Sequence, residues 1–354
     1  MLKQPILVKL QNTYYPENPS SNRQESLEVL KNLIENEVDT YQLNEPIATE
    51  TANGSVITRS EVCPTIHVEL DAAEVTDPFS SSTWMDTSTI LVFDDLVNED
   101  LRKRLLEVVL GPNAENWDDV QNGPDPSRWI RGGVLDVTTD TDDAAVEDEK
   151  QTSCWGLRDE VVDELCYNHH EAIEEFETIL SQKVFPQFTV SRLPEAVFGA
   201  CVSPLTANAP TYGDSFDFHI DGDPYLTPPS PWTDVYGRYP NRLKGKPRFM
   251  SCLVYLNDDW NADTWGAPTR FLDHPTNLFY DVHPKPGRCV IMDQDLSHTV
   301  VAPNTAAGKR PRYSMVWKLI LHPKTDGQDM TNLAVGRNWP EALMVPPARN
   351  EESN

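Results

Sequence analysis

The sequence predicts a mainly β domain with flanking α-helices, and two observations carry that expectation. After Pro186 the chain breaks into short runs rich in β-branched and aromatic residues: QFTVSRL, AVFGACVSPL, SFDFHID, RFMSCLVYLN, TRFLD, RCVIMD and RYSMVWKLIL. Turn residues divide these runs, and no long helical pattern lies between them, as in a sandwich or barrel. Upstream of Pro186, apolar residues recur instead at helical spacing. With 354 residues the chain can bury a sizeable core, as one large domain with an appendage or as two domains.

Taken in order, residues 1–88 read as an N-terminal extension. It holds an amphipathic helix near Gln24–Val38, with Leu27, Leu30 and Ile34 on one stripe, and a short strand at Thr65–Leu70. The main domain is expected over 89–325, opening on the β-rich TILVFDDLV. Asn98 then caps a helix over Glu99–Leu110 that ends at Gly111-Pro112. Residues 111–157 are rich in Gly, Pro, Asp and Asn and should be mostly loop. Within them, Ser127-Arg128-Trp129-Ile130-Arg131-Gly132-Gly133 reads as a surface strand with a packed indole, with an anion-binding role as the alternative. From Asp159 to Lys183, Val162, Leu165, Ala172, Phe176, Ile179 and Leu180 predict one long helix. Residues 326–354 read as a C-terminal tail.

Composition excludes some classes of partner. The net charge of −27 repels phosphate backbones, and no Lys/Arg block overcomes it, so nucleic acid is not expected. The acidic tract from Asp140 to Glu149 lacks the alternating ligands and turn glycine of a calcium loop and reads as a solvated surface. No apolar run approaches the roughly 20 residues of a membrane span, and the N-terminus lacks a leader pattern. The six cysteines, Cys63, Cys154, Cys166, Cys201, Cys252 and Cys289, are dispersed without a C-x-x-C pair. They read as buried thiols of a soluble protein in a reducing, cytoplasmic compartment.

Chemistry concentrates in FDFHIDGDPY. Eight histidines and 56 acidic residues among 354 yield about one H-x-[D/E] triplet by chance, and the chain has three. His67-Val68-Glu69 lies in a strand with both polar groups on its more polar face, and His169-His170-Glu171 lies in a helix without H-E-x-x-H. His219 and Asp221 differ in context. In an extended strand both point to one side with Ile220 turned away. His298, in MDQDLSHTV, is the best candidate for a third ligand, completing a two-histidine, one-carboxylate set that leaves positions open on ferrous iron. His274, His283 and His322 each precede Pro and read as loop or strand-end residues.

Fourteen residues beyond His298, Arg312 and Ser314 share one face of RYSMVWKLIL, offering a guanidinium fork and a hydroxyl to a carboxylate. Tyr255 in LVYLNDDW offers a phenol to the same group. An anion pocket beside an open iron site suits 2-oxoglutarate, which chelates metal at its keto-acid end and needs a cation at the other. Lys309 and Arg310 are rivals for that cation, but neither has Ser314 two places on.

The stretch from Tyr212 to Leu321 resembles the catalytic core of the prolyl 4-hydroxylase-like branch of the Fe(II)/2-oxoglutarate-dependent dioxygenases. The matching pieces are YGDSFDFHIDGD, CLVYLNDDW, WGAPTRF, HPKPGRCVIMD and SHTVVAPNTAAGKRPRYSMVW, in order, and TILVFDDLVNEDLRKRLLEVVL resembles the start of that domain. The resemblance implies a double-stranded β-helix, a jelly-roll core of the cupin kind. It assigns His219, Asp221 and His298 to iron, and Arg312, Ser314, Tyr255 and Tyr212 to 2-oxoglutarate, with oxygen as the other cosubstrate and ascorbate in support.

Three departures stand out. Tyr212 is closer to His219 than usual, Gly266-Ala267 replaces the family's Gly-Gly, and Trp317 is one residue nearer Arg312. The implied activity is oxidation of an unactivated C–H bond, hydroxylation by default, with release of succinate and carbon dioxide. Because Asp221 fills the carboxylate position, halogenation is disfavoured. The expected substrate is a small amino-acid-like metabolite. Alternatives are a peptidyl residue, or cyclisation or desaturation of a specialised metabolite, with Arg128, Arg131, Trp232 and Arg238 as candidate substrate contacts. A silent barrel acting as a binding protein would show a broken triad or a missing cation, and a cupin-like enzyme without 2-oxoglutarate would leave Arg312 and Ser314 without a role.

Overall fold

The computed structural model describes residues 62–112, 114–132, 154–193, 197, 203–214, 216–333, 339 and 343–344. The expected helix at Gln24–Val38, the acidic tract, Cys201 and most of AVFGACVSPL lie outside these residues.

Strand β1 (Ile66–Thr76) pairs antiparallel with β2 (Thr83–Phe93). Helix α1 (Glu99–Leu110) follows as expected, the Asn98 side chain accepting from Leu101 N and Gly111 closing the end. Helix α2 (Asp119–Asn122) and strands β3 (Trp129–Gly132) and β4 (Cys154–Leu157) lead to helices α3 (Asp159–Tyr167) and α4 (Glu171–Ile179), which ends in a π-turn at Leu180–Val184. Strands β5 (Phe188–Arg192) and β6 (Leu205–Asn208) precede helix α5 (Pro231–Tyr236). The remainder is β7 (Arg248–Tyr255), helix α6 (Ala262–Trp265), β8 (Thr269–Asp273), β9 (Leu278–Val282), β10 (Cys289–Asp293), β11 (His298–Val300), β12 (Ser314–Pro323) and β13 (Leu343–Met344).

These strands form two sheets. The larger runs β13-β1-β2-β10-β7-β12-β6-β4-β3, with β5 also on β12; the smaller is β11-β8-β9. Alternation along the central strands separates two cores. Val290, Met292, Leu253, Tyr255 and Val316 face Phe271 and Val282 of the smaller sheet, while Cys289, Ile291, Cys252, Val254, Met315 and Trp317 face α1, α3 and α4. The fold is a double-stranded β-helix with helices against its larger sheet.

Four expectations need correcting. The boundary at 88/89 falls inside β2, and β1 belongs to the main sheet, because its apolar residues Val68 and Leu70 complete the inner core. The single helix over 159–183 is two helices: Asn168 and His170 both adopt extended backbone, breaking the rod where Asn168-His169-His170 interrupts the apolar spacing. Within the expected strand SFDFHID, the described residues 216–221 form no ladder strand, and among them only His219 makes a bridge. Cys63 is exposed, whereas Cys154, Cys166, Cys252 and Cys289 are buried free thiols. Among the described residues no helix is long and apolar enough to cross a membrane.

Candidate active site

The site is assembled at one backbone contact. His219 and His298 form an antiparallel bridge, His219 N donating to His298 O at 3.0 Å and His298 N to His219 O at 2.9 Å. Two residues on, Asp221 N donates to Gln294 O at 2.8 Å. The extended pairing therefore survives without a full strand, and it clamps the HIDGD segment onto the turn between β10 and β11. That turn is held by buried charge. Asp293 accepts from Arg248 Nε at 2.8 Å, Arg248 Nη2 at 2.7 Å and Thr89 N at 2.7 Å, and Arg242 binds Asp86 and Asp295 with paired hydrogen bonds.

One ligand-type atom from each of His219, Asp221 and His298 lies within 4.8 Å of the others, and this is the cluster with metal-binding geometry among the described residues. Each histidine places Nδ1 2.9 Å from the carbonyl two residues back, Asp217 O for His219 and Leu296 O for His298. An Nδ1–H that donates there leaves the Nε2 lone pair free, and each Nε2 is 3.9 Å from Asp221 Oδ1. The other carboxylate oxygen, Oδ2, accepts from Ser251 Oγ at 2.5 Å. Burial pushes His298 down to about 4, so its ring is neutral near pH 7. Burial alone would raise Asp221, but the Lys318 ammonium and then the two imidazoles outweigh it and hold the carboxyl well below the usual range. The donor set of two neutral imidazoles and one carboxylate fits ferrous iron.

Arg312 lies immediately before β12 and is fully buried. Its Nη1 donates to Ala267 O at 2.9 Å, its Nη2 reaches Ser314 Oγ at 3.4 Å, and its Nε has no partner. The guanidinium stands 5.1 Å from the Tyr255 ring centroid, while the Tyr255 hydroxyl is 2.7 Å from Thr269 Oγ1. Among the described residues no carboxylate pairs with Arg312, and desolvation lowers its pKa. A buried guanidinium with an orphaned N–H and no counter-ion is shaped for an anion that comes from outside the chain.

Tyr212 is placed differently. The residue is 53% exposed, in contrast to buried Tyr255. The rival cation Arg310 pairs with Asp259 and lies over Trp265. Ala267 adopts φ +63° beside Gly266 at φ +67°, so the turn expected of Gly-Gly is kept and presents the Ala267 carbonyl to Arg312.

The candidate substrate contacts make structural contacts of their own. Arg128 donates to Val108 O and Val109 O at the end of α1. Trp232 is buried against Phe249 and Tyr236, Arg238 donates to Thr227 O, and Arg131 pairs with Asp214. Trp129 is buried, as the packed-strand reading expected. His67 pairs with Glu69 and His169 with Glu174, apart from the triad.

Two residues of the site were missed. Ser251 lies on the inner face of β7, and Lys318 on the inner face of β12 contacts Asp221 Oδ1. Lys318 was legible from alternation, since 312, 314, 316 and 318 share one face of the strand.

Fold and site together place a two-histidine, one-carboxylate cluster with metal-binding geometry on a double-stranded β-helix. Residues 207–317 match the model of the 2OG-Fe(II) oxygenase superfamily, and the matched segment contains the triad, Tyr255, Arg312 and Ser314. The match spans just under a third of the chain, and over that segment the chain is similar to 2-oxoglutarate-dependent iron oxygenases.

No curated protein matches the chain. Among solved structures it is similar to a Trichoplax adhaerens prolyl hydroxylase in complex with a hypoxia inducible factor oxygen degradation domain peptide fragment. That likeness is at 13% identity over 66% of this chain and 84% of that one, with a TM-score of 0.31. A Pseudomonas putida prolyl-4-hydroxylase is similar at 14% identity over 67% and 93%, with a TM-score of 0.33. An oxidoreductase of the 2OG-Fe(II) oxygenase family from Burkholderia pseudomallei is similar at 9% identity over 68% and 87%, with a TM-score of 0.32. These are distant likenesses, and no substrate follows from them.

Proposed function

We propose that His219, Asp221 and His298 hold Fe(II) and that Arg312, with Ser314, holds the distal carboxylate of 2-oxoglutarate. The observation that carries this reading is the buried, counter-ion-free guanidinium of Arg312, inside the same barrel as the triad. Bound there, iron with oxygen supplies the oxidising equivalent that removes hydrogen from a substrate C–H bond as 2-oxoglutarate becomes succinate and carbon dioxide. The chain's own part is positional. Ser251 fixes Asp221 through Oδ2, the carbonyls of Asp217 and Leu296 orient the imidazoles, and the Tyr255 ring walls the Arg312 pocket. Tyr212 is more than half exposed, which suits substrate contact better than contact with a buried cosubstrate.

The outcome is hydroxylation, and the substrate is a small amino-acid-like metabolite, in keeping with the net charge of −27 and the lack of a Lys/Arg block in the sequence. A peptidyl substrate is the second reading, favoured by the exposed apolar side chains of Phe218, Ile220, Tyr225 and Leu226 around the HIDGD segment. The test is succinate formation with Fe(II) and ascorbate against panels of free amino acids and short peptides. Turnover that needs His219 and prefers free amino acids supports the first reading; peptide-only turnover selects the second. Iron binding with no affinity for 2-oxoglutarate would falsify the cosubstrate assignment.

A further inference from the structure

We propose that Lys318 is a cosubstrate-positioning residue whose ammonium binds the metal-chelating carboxylate of 2-oxoglutarate, at the opposite end of that molecule from Arg312. The inference rests on the site assignment above and extends it to a residue just beyond the segment matched to the superfamily.

Three observations converge. First, Lys318 is buried, and its ammonium contacts Asp221 Oδ1, the atom that lies 3.9 Å from both histidine Nε2 atoms. A divalent ion held by those three atoms has this ammonium as a close neighbour. Like charges at such a separation in a dry site repel strongly, and an anion touching both offsets the repulsion.

Second, exposure is graded across the site. The His219 side chain is 40% exposed, whereas those of Asp221, His298 and Lys318 are 7%, 7% and 11% exposed. A substrate approaches from the His219 side. Lys318 is on the walled side, where a group bound directly to the metal reaches it.

Third, Arg312 and Lys318 are six residues apart on one strand face, about 20 Å along the strand. Side chains rooted that far apart on one face do not converge on one carboxylate. A cosubstrate with a carboxylate at each end can serve both. Among the described residues the Lys318 ammonium has no partner besides Asp221.

The experiment uses the full chain loaded with Mn(II), which binds 2-oxo acids without turnover, and reads affinity by calorimetry. The probes are 2-oxoglutarate and 2-oxopentanoate, which keeps the chelating end and lacks the distal carboxylate. Lys318→Met is expected to weaken both by a similar factor, about 10- to 100-fold for one lost charge-assisted hydrogen bond. Lys318→Arg recovers most of that loss, whereas Arg312→Met weakens 2-oxoglutarate alone. Mn(II) affinity in Lys318→Met, read from the free-ion resonance, is equal to or tighter than wild type, because the ammonium no longer competes for Asp221.

Unchanged affinity for both acids in Lys318→Met overturns the proposal, as does loss of Mn(II) binding, which would make Lys318 a support for Asp221 only. A loss confined to 2-oxoglutarate overturns it too, by moving Lys318 to the distal end. Wild-type protein that binds neither acid removes the cosubstrate reading itself, a result distinct from any variant-specific change.

Discussion

Replacing Arg312 by Met separates a cosubstrate anchor from a structural arginine, because the two roles predict opposite signs. In the free protein the guanidinium is fully buried, its Nε is unpaired, and it has one good hydrogen bond, to Ala267 O, and a longer one to Ser314. Removing it costs about 1 kcal/mol for the hydrogen bond and recovers a desolvation penalty of comparable or larger size. The metal-free variant should therefore melt within a few degrees of wild type, on either side. With 2-oxoglutarate the balance reverses. Truncating one partner of a buried, hydrogen-bonded charge pair costs about 2–5 kcal/mol, which at 1.4 kcal/mol per decade weakens 2-oxoglutarate by roughly 30- to 3000-fold. The assay is thermal unfolding of the Mn(II)-loaded protein across a 2-oxoglutarate titration, since a ligand that binds only the folded state raises stability by RT ln(1 + [L]/Kd). Wild type should show a concentration-dependent rise and the variant a flat response at the same concentrations. A variant several kcal/mol less stable without ligand, yet stabilised by 2-oxoglutarate as much as wild type, would refute the reasoning and make Arg312 a core residue.

Two further perturbations follow from particular backbone and burial facts. Gly266 adopts φ +67° and ψ −127°, a region that L side chains avoid, so Gly266→Ala should cost about 1–3 kcal/mol even though no atom lies within 4 Å of the added methyl. It should also weaken 2-oxoglutarate binding, because Ala267 O next door orients Arg312; denaturant melts at wild-type stability would sink this. His322, buried against Ser191, is held by burial at about 4, below the ordinary imidazole value of 6.5. Between those values the unfolded chain binds the proton and the folded chain does not. The stability associated with neutral His322 is thus present above pH 6.5 and lost as pH falls toward 4, by at most about 3 kcal/mol. In metal-free urea melts, wild type and His322→Gln should converge as pH drops from 7 to 4, and parallel pH profiles would contradict this.

Much of the site was legible because it depends on local rules. His219 and Asp221 were identified from alternation, and although their segment pairs at only one bridge, alternation needs only an extended backbone. His298 and Arg312 were chosen by order along the chain and by the chemistry a second anion would require, and His298 lies beside His219 and Asp221. Asn98 and Gly111 bounded α1 because caps satisfy particular orphan groups of the backbone. The errors arose where tertiary contacts decide. Asn168-His169-His170 interrupts the apolar stripe, but three polar residues also suit the exposed face of one continuous helix, and the break shows only in the extended backbone between α3 and α4. The break at Thr89 was a change in composition, and β1 lies upstream of it in the same sheet only because Val68 and Leu70 fill the inner core.

Lys318 shows how a one-residue difference in spacing becomes a difference in chemistry. Trp317 stands one place nearer Arg312 than the resemblance implies, and in a β-strand a one-residue shift moves a side chain to the opposite face. The structure places Trp317 outward, its ring centroid 4.7 Å from that of Phe176 and its Nε1 3.2 Å from Glu177 Oε1. The inner position six residues from Arg312 then falls to Lys318, whose ammonium reaches Asp221. The same shift that adds an indole to the helical core adds a cation to the metal pocket. The two are coupled through register: an insertion between Ser314 and Trp317 should return the indole to the barrel interior and withdraw the ammonium from Asp221. Register at this one strand thus sets the charge beside Asp221, and on the proposed reading it sets how the site would receive an anionic cosubstrate.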